Sequence, residues 1–176
     1  MQMHIKEIID QYGDYLLHIA YTYVKDERIA QEILQDVMYT YYRKQEQFRG
    51  EASLKTYLTK MTINRSYDYL RSWRNKSELV LERIFIKGKT KSVEKSFIEQ
   101  EEKMEITRAV LSLKVKLREV ILLYYYGEYT TKEIAEVLNT PQSTIKSRLQ
   151  KARTELKEKL RDYEWEVLVD GNGEAF

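Results

Sequence analysis

The chain has 176 residues, 43% of them hydrophobic and 33% charged, a net charge of +2 and no cysteine. This composition excludes disorder throughout the chain, and the missing cysteine excludes disulfides, thiolate metal sites and a cysteine nucleophile. The start MQMHIKEIIDQ has no basic-then-apolar secretory pattern, and the apolar run VILLYYYG is too short to span a bilayer, so a reducing cytoplasmic setting is expected.

One proline and six glycines leave most of the chain free to be helical. From Ile5, the residues Ile8, Ile9, Tyr12, Leu16, Ile19, Ala20 and Tyr23 recur at intervals of three and four, an amphipathic helix. A second follows KDER, with Ile29, Ile33, Leu34, Val37, Met38 and Tyr41 inward and Glu32, Gln35 and Asp36 on the other face. A third is predicted from about Ser53 to Arg74, carrying Leu54, Leu58, Met61, Leu70 and Trp73. Three such stripes can close a small bundle. Between Asn75 and about Gln100 the periodicity weakens and IKGKTKS reads as a basic loop. The expected division is therefore residues 1–75, a linker over 76–100, a second helical group over 101–162, and an acidic tail over 163–176. The fold class is all-α, in two small domains.

The second group is predicted as helices from Met104 to about Ser112, Lys114 to Tyr126 ended by Gly127, Thr131 to Leu138, and Pro141 onward. Thr130 and Glu133, three apart before an apolar-periodic run, make a capping-box pattern. Thr140 can cap the next helix, with Pro141 at its first position, where no amide hydrogen is needed. Two helices joined by so tight a turn have helix-turn-helix spacing. On the second, Ile145, Leu149, Ala152, Leu156 and Leu160 form a narrow apolar stripe. Ser143, Ser147, Gln150, Lys151 and Thr154 lie opposite, flanked by Thr144 and Arg148 on one side and by Lys146 and Arg153 on the other. Hydrogen-bonding groups between cations suit base edges and phosphates of a DNA groove.

Charge is unevenly placed. Lys146, Arg148, Lys151, Arg153, Lys157, Lys159 and Arg161 face only Glu155 and Glu158 between Gln142 and Arg161. Lys60, Arg65, Arg71, Arg74 and Lys76 face only Asp68 in the third helix. Asp162, Glu164, Glu166, Asp170 and Glu174 then make the end acidic. Two basic islands fit separated polyanion contacts. Tyrosine is abundant, at fifteen. Tyrosines at helical spacing are expected in packing, with Tyr124 in the core of the second group and Trp73 and Trp165 also as packing residues.

Two stretches resemble one family. AQEILQDVMYTYYRK followed by FRGEASLKTYLTKMTINRSYDYLR is similar to region 2 of bacterial extracytoplasmic-function (ECF) sigma factors. LSLKVKLREVILLYYYGEYTTKEIAEVLNTPQSTIKSRLQKARTEL is similar to their region 4. Tyr57 stands where the family often has Trp, and Lys114 where it commonly has Pro. The resemblance implies a dissociable subunit that directs core RNA polymerase to promoter DNA. Glu32, Gln35 and Asp36 match the face that docks on the clamp helices of the largest subunit. Phe48 to Ser53 matches a loop that captures a base flipped from the −10 element, with Arg49, Gly50 and Ser53 as candidate contacts. Lys60, Asn64, Arg65 and Asp68 match the neighbouring −10 surface, although Arg71 could instead pair with Asp68 within the helix. Lys146, Ser147, Gln150 and Lys151 match positions that reach −35 bases, with Ser143, Thr144, Arg148 and Arg153 placed for phosphates. It also implies an anti-sigma protein as a further partner.

No catalytic residue, metal site, cofactor or small-molecule substrate is expected. Two other readings compete. A stand-alone operator-binding regulator explains the C-terminal half and not the second basic helix. A small helical nuclease or phosphohydrolase would need more than His4, His18 and helix-face carboxylates.

Overall fold

The computed structural model describes residues 5–45, 50, 52–80 and 99–160, the side chains of 74–80 and 99–104 excepted. The described residues form seven helices and no strand. The chain divides into two compact units, residues 1–90 and 91–176. The expected basic loop within 81–98, the acidic tail, Trp165 and Arg49 lie outside the described residues.

In the first unit α1 (Ile5–Val24), α2 (Glu27–Lys44) and α3 (Leu54–Val80) pack on one another. Asp26 starts α2 by accepting a hydrogen bond from the Ile29 amide at 2.9 Å, which satisfies one of the amides that a helix start leaves without a partner. Ile8, Leu16, Ala20, Ile29, Ala30, Ile33, Val37, Met38, Tyr41 and Leu58 form one continuous core. The apolar periods of α1 and α2 thus end up inside, except Ile9, which is exposed.

Helix α3 departs from expectation. Of its predicted stripe only Leu58 is fully buried; Leu54, Met61 and Leu70 are half-buried and Trp73 is 60% exposed. The inner face is built from Leu58, Ile63 and three small polar residues, Thr59, Thr62 and Ser66. Their hydroxyls donate to the carbonyls of Lys55, Leu58 and Thr62, one turn back, at 2.8–2.9 Å. Each buried hydroxyl therefore carries its own hydrogen bond, and a short side chain keeps α3 close to α1. The helix also continues five residues past Asn75, to Val80.

The second unit contains α4 (Glu99–Ser112), α5 (Val115–Ile121), α6 (Thr131–Val137) and α7 (Gln142–Lys159), with α5 running on as a π-helical turn over Leu122–Tyr126. Ala109, Leu113, Leu117, Ile121, Ala152, Leu156 and Leu160 form a core cluster. Tyr124, expected there, is only half-buried. Arg118, 2% exposed, donates through Nη1 to the carbonyls of Leu111 (2.7 Å) and Leu113 (3.3 Å). It thereby fills acceptors that the end of α4 leaves open.

The π turn closes where the Gly127 amide donates to the Leu122 carbonyl at 2.9 Å. A Cβ at Gly127 would lie 2.7 Å from both the Leu123 carbonyl oxygen and the Tyr129 ring. Gly127→Ala is therefore expected to cost about 1–3 kcal/mol through overpacking. Urea unfolding of the full chain measures this, and an unshifted midpoint would mean that the turn relaxes around a methyl group.

Candidate nucleic-acid interface

The turn between α6 and α7 forms largely as its residues dictate. Thr130 Oγ1 accepts from the Glu133 amide, and the Glu133 carboxylate accepts from the Thr130 amide at 2.8 Å, a complete capping box. Asn139 takes a left-handed conformation, φ 47°, which Asn tolerates better than most residues. The start of α7 differs from expectation by one residue. Pro141 is the N-cap and Gln142 the first helical residue, while the Thr140 hydroxyl donates to the Leu138 carbonyl at 3.1 Å. Proline has no amide to lose there, and its carbonyl accepts from Ile145.

Ile145, Leu149, Ala152 and Leu156 seat α7 on the unit. Ser143, Lys146, Ser147, Gln150, Lys151 and Thr154 are exposed. Thr144, Arg148 and Arg153, expected near phosphates, are half-buried. Both arginines have partners inside the unit. Arg148 Nη1 lies 3.4 Å from Glu119 Oε1, a carboxylate only 1% exposed, and Lys116 Nζ approaches the same oxygen at 3.6 Å. Arg153 Nε donates to the Tyr125 hydroxyl at 2.8 Å, and its guanidinium lies 5.3 and 5.6 Å from the centroids of the Tyr124 and Tyr125 rings. These contacts hold the two flanks of α7 against α5 and the π turn.

In the first unit Glu32, Gln35 and Asp36 are exposed on α2, one turn apart. Glu32 lies 3.9 Å from Arg28, and Asp36 is paired with Arg65 of α3. Tyr69 sits beside this row; burial first, then the Asp26 and Glu32 carboxylates, raise its pKa above the usual tyrosine value, with Arg28 opposing. Lys60, Asn64 and Asp68 are exposed along α3, and Arg71 approaches Asp68 at 3.8 Å, the intrahelical pairing foreseen for it. Gly50 has φ +69° with open space around it, a conformation that suits glycine. Ser53 Oγ accepts from the Thr56 amide at 3.1 Å and so caps α3.

Sequence reasoning missed Glu119, Arg118 and the Asp36–Arg65 pair. The charged dipeptide inside the apolar run LREVILL was the available signal for the first two, since charge within such a run needs a partner. Among the described residues no cluster of histidine and acidic side chains could hold a metal ion, and no helix is long and apolar enough to cross a membrane.

The first unit carries an acceptor row and a basic helix, and the second presents a helix-turn-helix, features that suit a DNA-binding protein. The family models agree. Sigma-70 region 2 matches residues 8–76 and sigma-70 region 4 matches residues 103–156, and the chain belongs to the sigma-70 family as an ECF sigma factor. It is 27% identical over 165 residues to the ECF RNA polymerase sigma factor SigW of Bacillus subtilis, covering 89% of this chain and 88% of that one. It is 24% identical over 155 residues to the RNA polymerase sigma-H factor of Pseudomonas aeruginosa, covering 83% and 80%. Its fold is similar to that of the sigma factor RpoE in complex with the anti-sigma factor NepR from Bartonella quintana, with TM-score 0.76, 20% identity, and 90% and 98% of the two chains covered. CnrH in complex with the cytosolic domain of CnrY is similar at TM-score 0.64 and 18% identity, covering 91% and 89%. Sigma factors direct promoter-dependent transcription initiation; they are regulators rather than enzymes.

Proposed function

We propose that this sigma factor docks on the clamp helices of core RNA polymerase through Glu32, Gln35 and Asp36, reads the −35 element with α7, and traps separated −10 bases with the first unit. The observation that carries this is the exposed face of α7. Lys146, Ser147, Gln150 and Lys151 stand outward, as a groove reader requires. Arg148 and Arg153 act mainly by setting the roll of α7, because their guanidinium groups are engaged within the unit.

On the −10 side, Arg49, Gly50 and Ser53 are assigned to the flipped base, and Lys60, Asn64, Arg65 and Asp68 to the adjoining strand; the left-handed Gly50 and the exposure of Lys60, Asn64, Arg65 and Asp68 on α3 support this reading. Unstacking a base costs a few kcal/mol, so trapping favours the melted state only if the pocket binds the extruded base better than the paired one. The similar fold of a sigma factor solved in complex with the anti-sigma factor NepR supports an anti-sigma protein as a further partner.

Lys151→Ala is the direct test of α7. If Lys151 reads a base, initiation from a −35-dependent promoter weakens by about 1–3 kcal/mol, measured as open-complex formation across polymerase concentrations. An equal loss on promoters without that element would make Lys151 a general phosphate contact and overturn its assignment.

A further inference from the structure

Asp36 belongs to the acceptor row of α2, and Arg65 to the basic surface of α3. Arg65 donates through Nε at 2.9 Å and through Nη2 at 2.5 Å, both to Asp36 Oδ2. The two side chains are about half exposed, 49% and 52%, and they come from positions 29 apart in the chain. One ion pair thus joins the surface read as the polymerase dock to the surface read as the −10 contact.

The physics of such a pair is specific. Exposed pairs hold weakly, worth no more than about a fivefold shift in an equilibrium, so a better partner can take either member. While the pair stands, each charge offsets the other. A basic partner approaching α2 meets an Asp36 already neutralised, and a phosphate approaching α3 meets an Arg65 already neutralised.

We infer that the Asp36–Arg65 pair couples polymerase docking to single-strand binding: a basic partner that takes Asp36 releases Arg65 for a phosphate. Reciprocity then requires that DNA held on Arg65 makes Asp36 a better dock. In the free protein the pair lowers affinity for nucleic acid by at most about fivefold, and docking restores that share. This rests on the reading of α2 and α3 in the proposed function, and the test separates the two.

The experiment uses the full-length chain as wild type, Asp36→Asn, Arg65→Ala and the double variant, each checked for helicity by circular dichroism. Binding is measured to core RNA polymerase and, without polymerase, to a short single-stranded DNA oligonucleotide. Asp36→Asn is expected to weaken polymerase binding and Arg65→Ala to weaken DNA binding, as the proposed function alone requires. Coupling adds two effects of opposite sign. Arg65→Ala binds core polymerase about two- to fivefold tighter, and Asp36→Asn binds the oligonucleotide about two- to fivefold tighter. The salt dependence of that oligonucleotide binding also steepens by about 0.7 in log–log slope, one phosphate contact on a single strand. Glu32→Gln makes the same charge change one turn away without touching Arg65, and it leaves the oligonucleotide slope unchanged. If both direct losses appear and neither gain does, coupling is overturned while the proposed function stands. If Asp36→Asn leaves polymerase binding intact, or Arg65→Ala leaves DNA binding intact, the surface assignment fails and the coupling with it.

Discussion

Arg148→Ala is expected to destabilise the second unit by about 3 kcal/mol, the lower end of the cost of removing one partner of a buried ion pair. The loss comes from the carboxylate left behind. Glu119 is 1% exposed, and the substitution removes one of its two cationic neighbours, Lys116 being the other and itself 57% exposed. Denaturant unfolding of the full chain measures the effect, and an unchanged midpoint would show that the pair contributes nothing. A loss of promoter binding by this variant alone would not identify a phosphate contact, because the fold and the contact fail together. The double substitution Glu119→Met, Arg148→Met resolves this. Replacing both members by apolar side chains of similar length is often nearly neutral, so stability should return. If −35 binding returns too, Arg148 sets the position of α7; if stability returns and binding does not, Arg148 touches DNA.

The second large effect is expected on the first unit. Glu32→Lys together with Asp36→Lys should reduce affinity for core polymerase by on the order of a hundredfold or more, because like charges brought together across an interface cost several kcal/mol. The fold should survive, since Glu32 and Asp36 side chains are 61% and 52% exposed and exposed pairs contribute at most about 1 kcal/mol. Titration of the labelled variant with core polymerase gives the affinity, and circular dichroism gives the fold. An unchanged affinity would remove α2 as the dock.

Much of this architecture was legible from spacing alone. In α1 and α2, large apolar side chains recur often enough for burial to dominate every other local preference, and the inner faces follow. The capping box of Thr130 and Glu133 was readable because both partners are local, three residues apart. Helix α3 was harder for the opposite reason. Its inner face uses Thr59, Thr62 and Ser66, which hide their polarity by bonding back along the helix, so a search for apolar periods passes over them and selects Trp73 instead.

The candidate site divides the same way. The exposed face of α7 follows from helix angle, since the apolar stripe dictates what lies opposite. The fates of Arg148 and Arg153 depend on Glu119 and Tyr125, 29 and 28 positions away, and no local rule connects them. A cation on a basic helix can equally face solvent or a buried acceptor, and only packing decides. The same limit hid the Asp36–Arg65 pair, whose members each looked free on their own helices.

The most direct test of the central claim is selection of promoter DNA from a fragment library by this protein alone, by core polymerase alone, and by the two together. If the chain works as a sigma factor with two DNA-reading units, only the mixture selects fragments, these carry two motifs at a fixed separation, and they become melted at the downstream one. Selection of a single motif by the protein alone, unchanged when polymerase is added, would contradict it.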